Sequence, residues 1–370
     1  MSMYRGVATP YVHDEIYMPP LACAAHASHS LRCITGLPDS LVDVDASRLA
    51  LSFYCIGSLD ILDVLNEKVN MITRNEWRKW FWEQQTSGPH GSGFKPSSFM
   101  TGQGPASEFV QSPEYSCPHV IMTYTALLSL AILRDNFAGL DRRGIVAFLR
   151  GCQREDGSFR TTPQGTESDL RTVYCAFAIS SMLNDWSGVD VDRAKAFIAS
   201  CRTYEGGYGQ EPSCEAQGGT TYTAIASLYL APRSEGEEPL TAAEREQTIR
   251  WLSSNQDESG GFRGRTGKAA DACYCFWCGA ALRILGRDDL VNGLALVKFL
   301  DRCQFKFGGI SKAPDEHPDP YHTYLSLAAI AMYPPPLGES GSNTSWHLAP
   351  IDPLLNATQA TARWIRDHVP

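Results

Sequence analysis

Gly260–Trp277 reads G-G-F-R-G-R-T-G-K-A-A-D-A-C-Y-C-F-W. A glycine turn leads through three cations, Arg263, Arg265 and Lys268, to Asp271 and Cys273 at the start of an apolar run. The turn recurs along the chain as Gly93-Phe94, Gly157-Ser158-Phe159, Gly206-Gly207-Tyr208, Gly260-Gly261-Phe262 and Gly308-Gly309-Ile310, the last four spaced by roughly fifty residues. A charged, amphipathic stretch precedes each of those four, as in F-L-R-G-C-Q-R-E-D-G-S-F or F-L-D-R-C-Q-F-K-F-G-G-I. After a polar loop each is followed by an apolar, small-residue-rich stretch, as in D-L-R-T-V-Y-C-A-F-A-I-S-S-M-L or Y-H-T-Y-L-S-L-A-A-I-A-M.

Self-similarity at this period means one helix pair stacked on copies of itself. The apolar helix suits an inner ring and the amphipathic helix an outer one. The expected fold is all-α, an α/α barrel of about six helix pairs, with an open solenoid as the other closure. Little reads as sheet. Every inner helix starts just after a glycine turn, so the inner N-termini are expected to crowd one rim. Their free N–H groups and partial positive charge favour an anion or a thiolate there.

The barrel domain is expected over residues 47–370, with S-R-L-A-L-S-F-Y-C-I-G as its first helix and Ser47 as N-cap. Residues 1–46 read as a weakly patterned extension with some helix near Ala22 to Arg32. Thr86–Ser116 and Pro334–Asn343 are expected as loops, and Asp352–Asp367 as the last helix.

The 370-residue chain is 43% hydrophobic, enough for a large core, and its net charge of −9 argues against nucleic-acid binding. No run of about 18 apolar residues occurs, so the protein is not expected to be integral to a membrane. No secretory signal or lipidation motif is apparent. Most of the 12 cysteines, such as Cys55, Cys175 and Cys278, sit in apolar helical patterns rather than a disulfide framework. A reducing, cytoplasmic location is expected.

Asp271, Cys273 and His322, the last in P-D-P-Y-H-T-Y-L where another apolar run begins, form a zinc-compatible set. Three protein ligands leave the fourth position of Zn²⁺ open, as catalytic sites do. Residues i and i+2 diverge within a helix but can converge at its entry, where Asp271 takes non-helical torsions. A lone D-x-C is more often an N-cap beside a core thiol, and a charge run is more often a solvated turn. Here both fall on one rim of an otherwise acidic chain.

From about Ser47 to the last helix, the sequence resembles the β subunits of the protein prenyltransferases, most closely those of the type I geranylgeranyl enzymes. The resemblance rests on D-x-C-Y-x-F-W at Asp271–Trp277, with G-R-x-x-K before it and a histidine after it. It implies one Zn²⁺ held by Asp271, Cys273 and His322, and a donor diphosphate held by Arg265, Lys268 and Tyr274. Gln217 stands in E-A-Q-G-G where the family has histidine. Lys312, ten residues before the zinc histidine, stands where the farnesyl relative places a Mg²⁺-binding aspartate, so Mg²⁺ is not expected to be required. Ala50 in S-R-L-A replaces the tryptophan that floors the farnesyl pocket and leaves room for a 20-carbon chain. Tyr321 is the feature that looks more like the farnesyl enzyme. Arg171, Tyr174, Thr223 and Trp277 are implied to line the lipid tunnel, with His119 and Ala50 towards the acceptor peptide.

The implied reaction joins the thiol of a C-terminal C-a-a-X protein, such as a small GTPase, to C1 of geranylgeranyl diphosphate. The implied partner is a helical α subunit. The rivals are a farnesyltransferase β subunit and, from another class, a helical-repeat binding scaffold with structural zinc or none. A terpene cyclase is disfavoured because D-x-D-D and D-D-x-x-D are absent.

Overall fold

The computed structural model describes residues 18–37, 44, 46–98, 117–337 and 343–370. Among them the helices alternate outer and inner: α1 (Cys23–Thr35) with α2 (Arg48–Ile61), then a short α3 (Leu65–Lys68), and α4 (Met71–Glu83) with α5 (Val120–Ile132). The next pairs are α6 (Arg142–Cys152) with α7 (Leu170–Leu183) and α8 (Val191–Ser200) with α9 (Gly218–Leu230). They are followed by α10 (Ala242–Ser253) with α11 (Ala272–Ile284), α12 (Gly293–Arg302) with α13 (Pro320–Met332), and finally α14 (Gln359–His368). Each inner helix packs on the next, α2 on α5, α5 on α7, α7 on α9, α9 on α11 and α11 on α13, and α13 packs back on α2. The ring is therefore a closed barrel and not a solenoid.

The two helix types differ as their patterns require. In α7, twelve of fourteen residues are buried, from Leu170 to Leu183, because inner helices face lumen on one side and outer helices on the other. In α6 only Val146 and the i, i+3, i+4, i+7 stripe Ile145, Phe148, Leu149 and Cys152 are buried. The glycine turns hold the pairs together. At Gly260 (φ 90°) a Cβ would run into the Ala295 carbonyl on α12, and at Gly308 (φ 92°) into the Ala25 carbonyl on α1. Both positions need glycine for left-handed torsions and for close approach.

The glutamines before these turns act as clamps. Gln85, Gln153, Gln256 and Gln304 each accept a backbone N–H from Asp141, Asp190, Asn292 and Ala22, at 3.2, 2.8, 2.9 and 3.1 Å. The acceptor in each case meets the N-cap residue of the following outer helix, and the last of the four returns to α1. So Cys23–Thr35, expected to lie in an extension, packs on α2 and covers the Gly308 turn. His26 completes that seam, taking Gly309 N–H on Nδ1 at 3.0 Å and facing Gln304 with Nε2 at 2.9 Å.

Aromatic rings line the lumen. The fifth residue of five inner helices is Tyr124, Tyr174, Tyr222, Phe276 or Tyr324, and Phe53 of α2 completes the set, with neighbouring centroids from 5.0 to 6.4 Å apart. Their hydroxyls close one end. Tyr222, Tyr174, Tyr124 and Tyr324 donate to the carbonyls of Pro353, Leu354, Leu355 and Asn356 at 2.9, 2.9, 2.8 and 2.5 Å. Tyr229 and Ile284, near the C-terminal ends of α9 and α11, flank this segment, so it plugs the barrel from the end away from the glycine-turn rim.

Three local expectations are corrected. The loop expected over Thr86–Ser116 begins with a hairpin, β1 (Gln85–Gly88) on β2 (Gly91–Phe94), and its remainder from residue 99 lies outside the described residues. Its short strands lack the β-branched alternation that reveals a strand, and the pairing is stabilised by packing on α6. The last helix starts at Gln359, not Asp352, because Ile351–Asp352 pairs with Ala357–Thr358 around the plug. Ser47 precedes α2 but makes no capping hydrogen bond. Of the loop expected over Pro334–Asn343, residues 338–342 lie outside the described residues.

Candidate active site

At the rim, the N-caps of α11 and α13 do more than start helices. Asp271 has extended torsions (φ −140°, ψ 134°), and its Oδ1 accepts Cys273 N–H at 2.9 Å. That local turn brings carboxylate and thiol to one side despite their i, i+2 spacing. Ala272 N–H donates to the Lys312 carbonyl at 2.8 Å, which ties the start of α11 to the segment leading into α13. His322, third in α13, places Nε2 3.4 Å from Asp271 Oδ1. The ligand atoms of Asp271, Cys273 and His322 all lie within 4.8 Å of one another, and among the described residues this is the one such cluster.

Asp319 orients the imidazole. Its Oδ1 caps His322 N–H at 2.9 Å and its Oδ2 lies 2.5 Å from Nδ1. With Nδ1 engaged, Nε2 faces Asp271 and Cys273, the arrangement that fixes the ring of a metal-ligating histidine. Burial pulls the His322 pKa down, but the bonds to Asp271 and Asp319 outweigh it and raise it to about 9. Burial pushes Asp271 up, yet hydrogen bonds from His322 and Cys273 hold it below the usual carboxylate range. Burial and the adjacent Asp271 both push the Cys273 thiol up. A metal cation held between the buried thiol and the carboxylate would favour the thiolate. A carboxylate, a sulfur and an oriented imidazole are donors that Zn²⁺ accepts. The residues present therefore fit the ion.

The basic turn lies alongside. Gly264 is packed so tightly on the Tyr274 ring that a Cβ there would collide with it. Arg265 and Lys268 are exposed on the same turn. Arg265 Nη1 donates to Glu215 Oε2 at 2.8 Å, and Gly218 N–H donates to the Gly264 carbonyl at 2.8 Å. Gln217 caps α9 through Thr220 N–H and donates from Nε2 to the Tyr274 hydroxyl at 3.1 Å. Arg265, Lys268, Tyr274 and Gln217 thus share one patch of rim, and the exposed Lys312 follows the strand-like bridge at Ser311.

The residues implied to line a tunnel divide between two levels. Trp277 is half-buried, and its Nε1 donates to the Tyr321 hydroxyl at 3.0 Å, one turn below the metal-compatible cluster. Tyr174 lies in the aromatic ring with its hydroxyl on the plug. Thr223 is buried, and its Oγ1 bonds the Thr220 carbonyl. Arg171 sits on the rim, paired with Asp169 and Glu167. Ala50 is buried in the first turn of α2. His119 occupies the cap position of α5 without a capping bond, its Nδ1 is buried with no partner among the described residues, and burial lowers its pKa to about 4.

Asp319 and Glu215 were missed in the sequence. The first had a signal, since an aspartate just before Pro320 marks an N-cap whose side chain reaches three residues on. The second had none, because its partner Arg265 is fifty residues away in sequence.

A family model described as the prenyltransferase alpha-alpha toroid domain matches residues 21–357. The chain is similar to the geranylgeranyl transferase type-1 subunit beta of Arabidopsis thaliana, 34% identical over 86% of this chain and 84% of that one. It is also similar to the Dictyostelium discoideum subunit of that name, 36% identical over 81% and 88%. Among solved structures, Candida albicans protein geranylgeranyltransferase-I complexed with GGPP superposes with a TM-score of 0.79, at 25% identity over 95% of this chain and all of that one. No described helix is long and apolar enough to cross a membrane.

Proposed function

Because the chain belongs to the prenyltransferase alpha-alpha toroid family, we propose that it is the catalytic β subunit of a type I protein geranylgeranyltransferase. It moves a geranylgeranyl group from geranylgeranyl diphosphate to the cysteine of a C-terminal C-a-a-X protein. The observation that carries the reading is the meeting of Asp271, Cys273 and His322 within 4.8 Å on the rim that also presents Arg265 and Lys268.

Asp271, Cys273 and His322 would hold one Zn²⁺, which when bound supplies a Lewis acid that keeps the acceptor thiol deprotonated at neutral pH. Asp319 fixes the imidazole so that Nε2 is the free nitrogen. As the bond from C1 to the diphosphate oxygen lengthens, charge grows on the diphosphate. Arg265, Lys268, Lys312 and the Tyr274 hydroxyl stabilise it, with Gln217 as a neutral donor held on Tyr274. Such donors act strongly because they are oriented beforehand. Arg171 belongs to the rim end of the lipid site, with Trp277, Tyr174 and Thr223 deeper in the aromatic lumen. Burying apolar chain there is worth about 0.8 kcal/mol per methylene. Ala50 favours the 20-carbon donor, and His119 with Ala50 faces the acceptor peptide.

We place the protein in the cytoplasm as one half of a heterodimer with a helical α subunit; its many buried free cysteines support a reducing compartment. Lys312 makes Mg²⁺ dispensable. The test is co-expression with an α subunit and turnover of both lipid diphosphates with and without Mg²⁺. Transfer of the 20-carbon group, indifferent to Mg²⁺, is expected. A strict Mg²⁺ requirement would remove the role given to Lys312, and preference for the 15-carbon donor would move the chain to the farnesyl class.

A further inference from the structure

Arg265 is the cation of the cradle that already has a fixed partner. Its Nη1 meets Glu215 Oε2 at 2.8 Å, with the two side chains 44% and 53% exposed. A carboxylate beside an arginine assigned to a diphosphate is unexpected on charge alone, since it offsets one of few cations in a patch that has glutamine at 217. Two arrangements fit such a pair. The carboxylate can compete with the anion, or it can hold the guanidinium in place for it.

The geometry favours the second. The contact uses a single nitrogen of a group with five N–H donors, so the rest of the fork stays free for phosphate oxygens. The backbone just after Glu215 is anchored. Two residues on, Gln217 caps α9 and bonds the Tyr274 hydroxyl at 3.1 Å, and Gly218 N–H bonds the Gly264 carbonyl at 2.8 Å. The chain just after the carboxylate is thus tied to Gly264, next to the arginine, and to Tyr274 on α11. Gly264 adjoins Arg265 and is locked on the Tyr274 ring. An arginine on an exposed turn has many rotamers to lose on meeting a ligand, and a carboxylate already paired with it removes part of that cost beforehand.

We propose that Glu215 is a positioning residue that holds the Arg265 guanidinium over the diphosphate cradle. The inference rests on the reading of Arg265 as a diphosphate ligand. Glutamine at 215 retains an oxygen that accepts from Nη1, whereas alanine does not.

The experiment uses the full heterodimer and measures two quantities: kcat and KM for the lipid diphosphate, and calorimetric affinity for inorganic pyrophosphate. Glu215→Ala is expected to lower kcat/KM by about tenfold, below the roughly 10²-fold that a 1 Å misplacement can cost, and to weaken pyrophosphate. Glu215→Gln should keep most of both. In an Arg265→Ala background, Glu215→Ala should add no further loss. Tighter pyrophosphate or a lower KM in Glu215→Ala would mean that the carboxylate competes, and the proposal falls. An equal loss with and without Arg265 would mean that Glu215 acts elsewhere, and it also falls. Absence of prenyl transfer by the unmodified heterodimer would instead count against the proposed reaction, and the pyrophosphate measurement would still decide the role of Glu215.

Discussion

The two ends of the barrel are built from the same inner helices and treat polar groups in opposite ways. At the plugged end each of four tyrosine hydroxyls has a backbone carbonyl of residues 353–356 as partner. At the rim some groups pair, as Asp319 does with His322 and Gln217 with Tyr274, and others are left for a ligand. His322 Nε2 and Asp271 stand 3.4 Å apart beside a buried thiol, Arg265 spends one nitrogen on Glu215, and His119 Nδ1 is buried without a partner among the described residues. A buried polar group without a partner costs about 1–3 kcal/mol, so a fold keeps such groups together where a ligand will complete them. The floor is structure, and the rim is structure left open.

The comparison is broken most severely at Cys273. Cys273→Ala should abolish tight metal binding and reduce turnover by at least about 100-fold, while the melting temperature of the metal-free protein stays close to that of the parent, which elemental analysis with calorimetry checks. A variant that keeps its metal would separate the cluster from the reaction. Next comes the cradle: Arg265→Ala should lower kcat by about 10²-fold with zinc content unchanged, and an unaltered kcat would remove the arginine from the chemistry. Asp319→Ala, one bond further out, should weaken metal affinity by about 10–100-fold, read by competition with a chelator; unchanged affinity would make Asp319 a helix cap alone.

At the floor the ranking inverts. Tyr324→Phe leaves the Asn356 carbonyl without its phenol donor and should cost about 1 kcal/mol of stability, with zinc content unchanged. If metal is lost too, the ends are not independent.

The last effect is in pH. A folded-state pKa of about 9 for His322 in metal-free protein lies above the ordinary 6.5. Its contribution to stability is therefore complete below about pH 6.5 and lost as the pH rises through about 9. The metal-free protein should lose about 4 °C of melting temperature across that window. Bound metal replaces the proton, so the loaded protein should not show this slope, and a flat profile for the metal-free form would contradict the Asp271–His322–Asp319 arrangement.

The sequence carried the repeat, the alternation of buried and amphipathic helices, and the ligand set at Asp271, Cys273 and His322. All three are encoded locally: glycine at a left-handed turn, apolar residues at helical spacing, and acidic caps before apolar runs. Other features were illegible for a stated cause. The short β1–β2 hairpin has no alternating pattern of its own, and the helix at Cys23–Thr35 shows its role only when the Gly308 turn arrives from the far end of the chain. The Glu215–Arg265 pair needs the start of α9 set beside the turn before α11. Local chemistry fixes where a helix starts and which face it buries, since those energies are settled within a few residues. Closure of the ring, the depth of the plug and the partners of each rim cation depend on contacts between residues tens to hundreds of positions apart, and only the folded barrel sets those distances.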